Sequence, residues 1–517
     1  MVILTFLLNL IVFILVLGII ILLHELGHFF VAKKFNVLCH EFSVGMGPAL
    51  LQKKKGETTY SVRAVPIGGY VSIAGEDNDD SLFTVNDIIG LRITPHNEVE
   101  GIVLDEMQQY DVIGKVVSFE IFDKDKTPLH VELELEDGTV TKYPVLEDCK
   151  YYLPNKKEVQ IATKERSLSQ KPKIQRFLVL FAGAFMNFVL AIFLFILAYS
   201  IIGRPVNAAV VGKVDPNGAL AATDLKDKKN FKIEEVNGVS VTTWDDLSEE
   251  IQKHPGLPIT IKVDGAIYNI NTRVDINMLG VSNYFKEGII GTEQLVIGQV
   301  YGLGLKSGLQ PGDKITKLNK KEVTTWKDLI SELDTIQGLN VEVSYLRDGV
   351  EGITSYKIMP KETIEGQGAF VSKVLIGIEG TYKFDFGYAL KMGFVAFGDD
   401  ATKIFKVLGG LFTPKTSGIS ITDLAGPIGI FNLVAQVRQG GFVSVLLFMA
   451  FLSVNVGLVN LLPIPALDGG RILFLLIEAV TRRPLNKKVE TLVNNITFIL
   501  LLALFALIMV FDVLRLF

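Results

Sequence analysis

His24-Glu25-Leu26-Gly27-His28 is the stretch whose residue types and spacing point most directly at chemistry. On a helix, residues four apart share one face. The two imidazoles then aim at a single ion, and Glu25 sits beside a water held by that ion. Two imidazoles with a neighbouring carboxylate form the arrangement of zinc hydrolases. The motif lies in an apolar run, where ionisable side chains are costly unless paired or metal-bound. The bland alternative, a chance match, is weakened by that cost and by a total of only 6 histidines.

A catalytic zinc takes three protein ligands and keeps one position open. The best third ligand is Asp468, in Asn460-Leu-Leu-Pro-Ile-Pro-Ala-Leu-Asp468-Gly-Gly470. Pro463 and Pro465 break a helix and free backbone groups. Such backbone is tolerated at membrane depth where it lines a cavity. Alone, Asp468 reads as a turn aspartate before two glycines; beside the histidines it reads as a ligand. Depth agrees, because His24 lies ~33 Å along a helix begun at Val2, and Asp468 closes a later apolar run. Both fall near the same membrane boundary.

The elements that carry these residues are membrane spans. The chain has 517 residues, 49% of them hydrophobic, with a net charge of −5. That charge gives no electrostatic case for nucleic acid. Cys39 and Cys149 are the 2 cysteines, too far apart for a CxxC site or a disulfide framework. Apolar runs at about Val2–Val31, Phe177–Ile202, Phe442–Leu462 and Thr491–Leu516 are each long enough to cross a bilayer. The first lacks a basic leader and a small-residue cleavage site, so it is expected to be retained.

Basic residues set the orientation. Lys33, Lys34 and Lys53–Lys55 follow the first span, Lys164–Arg176 precede the second, and Arg471–Lys488 lie between the third and fourth. These loops are expected in the cytoplasm. Both termini and residues 203–441 then face outward, and both thiols face the reducing side.

Residues 203–441 contain a repeat. Glu235-Val-Asn-Gly-Val-Ser-Val-Thr-Thr-Trp-Asp-Asp-Leu returns as Lys317-Leu-Asn-Lys-Lys-Glu-Val-Thr-Thr-Trp-Lys-Asp-Leu, with Trp244 and Trp326 in the same place. Each copy predicts short strands around one helix, Trp244–Lys253 or Trp326–Leu333. The copies resemble PDZ domains of bacterial proteases. The second matches better, through Ser307-Gly-Leu-Gln-Pro-Gly-Asp-Lys-Ile315; the first reads Asp224-Leu-Lys-Asp-Lys-Lys there and is degenerate. Phe386–Phe412 mixes apolar and charged residues and predicts an amphipathic helix, either at the bilayer interface or packed on the repeat. Glu136-Asp-Gly-Thr139 is a hairpin turn signal inside an expected β module at 101–147.

The fold class expected is therefore a polytopic α-helical membrane protein with about four transmembrane helices, inserted α+β PDZ domains and a small β-rich cytoplasmic insertion. The division is 1–75, first span with a membrane-associated β-hairpin; 76–170, insertion; 171–205, second span; and 206–285 and 286–362, the PDZ copies. It continues with 363–440, linker and amphipathic helix; 441–473, third span; and 474–517, cytoplasmic loop and fourth span.

His24-Glu-Leu-Gly-His28 and Asn460-Leu-Leu-Pro-Ile-Pro-Ala-Leu-Asp-Gly together resemble the site-2 protease family of intramembrane zinc metalloproteases. The PDZ pair resembles its regulator-of-sigma-E-protease group. Phe42-Ser-Val-Gly-Met-Gly47, Pro66-Ile-Gly-Gly-Tyr-Val71, Ala182-Gly-Ala-Phe-Met-Asn187 and Ala425-Gly-Pro-Ile-Gly429 extend the likeness over most of the chain. The resemblance implies Zn2+ on His24, His28 and Asp468, with Glu25 as general base and then acid. It implies single-span substrates, anti-sigma factors or remnant signal peptides, trimmed first by another protease, with the PDZ pair as outer filter or peptide sensor. It places the protein in a bacterial cytoplasmic membrane. Thr58–Val65 and Ile67–Ile73 are expected to form a hairpin whose edge takes unwound substrate. That makes Gly68, Gly69 and Tyr70 binding candidates, against an ordinary loop. Asn460 and Asn455 are candidates for holding substrate backbone, against interhelical contacts; Asn187 is expected to support packing. A membrane-anchored PDZ scaffold without catalysis leaves the ionisable motif unexplained. A zinc-dependent membrane chaperone would need the ligands but not Glu25. A metal transporter would need more intramembrane charge.

Overall fold

In hydrocarbon a backbone finds no water, so a spanning segment must close its hydrogen bonds internally as a helix. Among its described residues, the computed structural model has four helices long and apolar enough to cross: Val2–Lys34, Lys173–Ile202, Phe442–Asn460 and Lys487–Leu514. They coincide with the expected spans to within a few residues. Described residues are 2–514 apart from 77–80, 106, 124–126, 155–156, 217, 286–289, 292–293, 337–339, 367–369, 413–423 and 484. The last residues of the expected fourth span lie outside them. The chain divides into two compact units, Met1–Leu194 with Ala425–Phe517, and Phe195–Leu424.

In the first unit the opening helix runs into two long strands, Cys39–Lys55 and Thr58–Ile73. Residues 41–44 have partners on both sides, Thr59–Val62 on one and Gly69–Ser72 on the other. This corrects the expected hairpin: Thr58–Val65 and Ile67–Ile73 are separated by the Cys39–Val44 stretch. That stretch takes the middle because Cys39, Phe42 and Ser43 are buried, with Phe42 against Phe29 at a ring distance of 5.4 Å. Gly68 turns the strand at φ +90°, the left-handed region that favours glycine.

Within the 76–170 insertion the β module is larger than the expected 101–147. Strands Ile88–Ile93, Val99–Val103, Val112–Glu120, His130–Glu134 and Val140–Leu153 pair in a ring, closed by Val99–Val103 alongside Val140–Leu153; Lys157–Gln160 adds at one side. The Glu136–Thr139 turn is present, with Leu135 N–H donating to Thr139 O at 2.9 Å. The first strand escaped the pattern because Ile89, Gly90 and Leu91 are buried in succession, which removes the period-two signal. Burial pushes the Cys39 and Cys149 thiols up to about 12.

In the second unit both repeat copies form two short strands and a capped helix, Trp244–Gln252 and Trp326–Leu333. Thr243 and Thr325 accept from the amides of Asp246 and Asp328, whose carboxylates return the bond. Such a box contributes ~1 kcal/mol. The copies are not consecutive beads, as 206–285 and 286–362 assumed. The sheet of the first copy ends on Ile378–Gly380, paired with Val210–Val214, and its core includes Val374 and Ile376. The first copy is thus completed by chain that follows the second. Close backbone approach permits this: a Cβ on Gly218 would lie 2.6 Å from Gly377 Cα. Phe386–Phe412 is a helix, as its mixed pattern predicts. Among the described residues three further α-helices went unread, Lys361–Gly366, Pro427–Gln439 and Asp468–Thr481; part of the last was expected as loop.

Candidate metal centre

Helical spacing brings His24 and His28 onto one face, with Nε2 atoms 3.2 Å apart and rings nearly edge to face at 76°. Asp468 reaches them from the far end of the chain. Its Oδ2 lies 3.1 Å from His24 Nε2 and 3.3 Å from His28 Nε2. The third span ends at Asn460, residues 461–467 turn, and Asp468 opens the next helix. Ala466 takes φ +73° in that turn, and its amide donates to Asn494 Oδ1 at 3.2 Å. Gly469 and Gly470 lie against the turn: a Cβ would press on the Leu462 and Ile464 carbonyls. The two glycines therefore let the carboxylate helix start directly on the broken segment.

The donor set fits a tetrahedral zinc. Both histidines are buried, and Asp468 Oδ2 is buried with no hydrogen-bond partner. His28 Nδ1 donates to Val179 O at 2.8 Å, which leaves its Nε2 bare. His24 Nδ1 lies 3.1 Å from the amide nitrogen of Asn187, whose Oδ1 is buried and unpartnered. Amide oxygen and nitrogen have nearly the same shape. Turning that amide over lets Oδ1 accept from His24 Nδ1–H and bares the second Nε2. Two lone pairs and a carboxylate oxygen at 3.1–3.3 Å repel unless a cation lies between them. Vertices of a tetrahedron with bonds of ~2.0–2.1 Å stand about 3.3 Å apart.

Asn187 is thus more than a packing residue, which sequence reasoning missed. Asn187→Ala is expected to weaken zinc binding about ten- to hundred-fold, the usual effect of removing an imidazole's outer partner. Competition with a chelator measures it; an unchanged affinity would return Asn187 to packing alone.

Glycines clear the space around the site. A Cβ on Gly183 would collide with His28 Nε2 and come 2.7 Å from His24 Nε2. A Cβ on Gly27 would meet the Ala182 carbonyl, so the first and second spans touch closely there. A Cβ on Gly69 would be 3.4 Å from Glu25 Cγ and 2.8 Å from Ser43 O. Gly69 therefore lies against the Glu25 side chain, while Gly68 lies against Met46. The Tyr70 hydroxyl is committed, donating to Glu41 Oε2 at 2.7 Å and accepting from Arg63 Nη2 at 2.5 Å. Burial and the Glu41 carboxylate push it up to about 12. Asn455 Nδ2 donates to Phe451 O in its own helix at 3.2 Å, and Asn460 ends that helix where the chain turns toward Asp468. His130 and His254 have local partners, Pro128 O and Glu250.

The family described as Peptidase family M50 matches residues 12–504. "Zinc metalloprotease RasP" of Geobacillus kaustophilus is 29% identical over 496 residues, 96% of this chain and 95% of that protein. "Regulator of sigma-W protease RasP" of Bacillus subtilis is 28% identical over 508 residues, 98% of each. A solved "HtrA-type protease AlgW with tripeptide" aligns with 53% of this chain and 94% of its own at 11% identity, with a TM-score of 0.13 that carries no argument. The family match spans nearly the whole chain and takes in both the histidine helix and the Asp468 helix: this chain belongs to peptidase family M50.

Proposed function

We propose that the chain is a zinc-dependent intramembrane endopeptidase that cuts single-span membrane proteins, with His24, His28 and Asp468 as ligands and Glu25 as the proton carrier. The observation that carries this reading is the convergence of two imidazole nitrogens and one carboxylate oxygen, offered by an apolar helix and a helix far along the chain. Zinc, when bound, supplies a Lewis acid that brings the pKa of a water toward ~7 and polarises a peptide carbonyl. Glu25 takes the proton from the attacking water and passes it to the leaving amine. Gly69–Ile73 is paired on the Cys39–Val44 side among the described residues, so its other edge can take an unwound substrate as an added strand. Gly69 brings that edge close to Glu25, and Gly68 turns the chain into it. Tyr70 contributes its backbone, since its hydroxyl is engaged. Asn460, and less directly Asn455, hold substrate backbone beside the Asp468 turn.

Substrates of this class are anti-sigma factors or remnant signal peptides already trimmed outside; a relative named regulator of sigma-W protease supports the first. The repeat copies act as an outward PDZ pair that binds peptide and screens untrimmed ectodomains. The protein lies in a bacterial cytoplasmic membrane with both termini outside, as the basic loops direct.

Metal removal tests the reading. A trimmed single-span reporter in liposomes is expected to be cut, to survive once the protein is stripped by chelation, and to be cut again on zinc addition. Undiminished cleavage by metal-free protein would overturn it.

A further inference from the structure

Outside the ligands, the feature that bears most on the centre is an ion pair between Glu76 Oε1 and Arg471 Nη1 at 2.7 Å. Arg471 lies three residues after Asp468 on the same helix, hence on the same face. Between them stand Gly469 and Gly470, whose backbones abut the 461–465 turn. Arg471 is therefore the first side chain after Asp468 able to fix the rotation of the helix start. That rotation decides where the Asp468 carboxylate points.

Glu76 is held just as firmly from its own side. It follows the Gly69–Ile73 edge, which borders Glu25. Ala74 N–H donates to Leu38 O at 2.9 Å, and Leu168 N–H to Ala74 O at 2.8 Å. Gly75, at φ +84°, packs against the Leu168 amide, 2.7 Å from where its Cβ would be. The Glu76 side chain is 18% exposed, so losing Arg471 would strand a largely buried charge.

We propose that Glu76 and Arg471 form a positioning clasp: they lock the rotation of the Asp468 helix to the end of the strand edge beside Glu25. Neither is among the three converging ligand atoms, and the clasp acts on the metal through Asp468. The inference rests on Asp468 being a ligand.

Zinc affinity tests it, by chelator competition on the full-length protein in detergent. Glu76→Gln and Arg471→Gln are each expected to weaken zinc about ten- to hundred-fold. The exchanged pair, Glu76→Arg with Arg471→Glu, is expected to recover most of that loss, and Arg471→Lys to keep most of the affinity. At saturating zinc the single variants are expected to regain kcat with KM unchanged. Wild-type zinc affinity in both single variants, with zinc lost in Asp468→Ala, would overturn the clasp and leave the metal reading standing. An exchanged pair as weak as the singles would overturn the coupling. Zinc retained by Asp468→Ala would overturn the ligand assignment and the clasp together.

Discussion

Glu25→Gln is expected to lower the cleavage rate by about 10²–10⁴-fold while leaving zinc content unchanged. The carboxamide keeps the shape of the side chain and its packing against Gly69, so the strand edge stays in place. It cannot accept and return a proton at neutral pH. Glu25 is not one of the three residues whose donor atoms converge, so the ion should remain. The measurement pairs reporter cleavage with elemental analysis of the same preparation. Equal cleavage would remove Glu25 from the reaction; zinc lost along with activity would make Glu25 part of the binding set.

The second large effect is expected from a single methyl group. Gly183→Ala would put a Cβ into the space between the two Nε2 atoms, where the backbone of the second span passes over the histidines. The contact partners are ring nitrogens of buried side chains, one of them tied to Val179 O. Neither can yield without leaving the face that Asp468 approaches. Zinc content is therefore expected to fall from about one ion per chain, the count for a single three-ligand site, to near zero, with activity lost in parallel. Alanine is a good helix former, so the span itself should persist; circular dichroism checks this. Full zinc content in Gly183→Ala would mean that the helices separate enough to admit the methyl group. The close packing would then not define the site.

Much of this was legible in the sequence because it is local. Helical period fixes the relation of His24 to His28, apolar length marks the spans, and the proline-broken segment singles out Asp468. What stayed hidden depends on contacts through space. Asn187 reads as one more polar residue in a span until His24 lies beside it. Arg471 reads as one more basic loop residue, and nothing local marks Glu76, until the strand end meets the Asp468 helix. The expected hairpin fails because Pro66 divides residues 58–73 into two strand-like runs, and nothing nearby tells that Cys39–Val44 inserts between them. The three-residue strand Ile378–Gly380 is too short to announce a partner so far upstream.

That short strand also makes the two repeat copies unequal. The second copy behaves as a guest lodged in a host: its entering strand Arg273–Ile276 and the returning strand Ser372–Leu375 run side by side, Val274 opposite Val374. A guest whose ends meet can be gained or lost at the gene level with little disturbance to what surrounds it. The host has no such freedom. A fragment stopping at residue 362 lacks Val374 and Ile376 from its core and leaves the Val210–Val214 edge without its partner. Such an open edge invites pairing between chains. Shuffling or trimming in this lineage should therefore vary the second copy freely and keep the first tied to the chain that follows it.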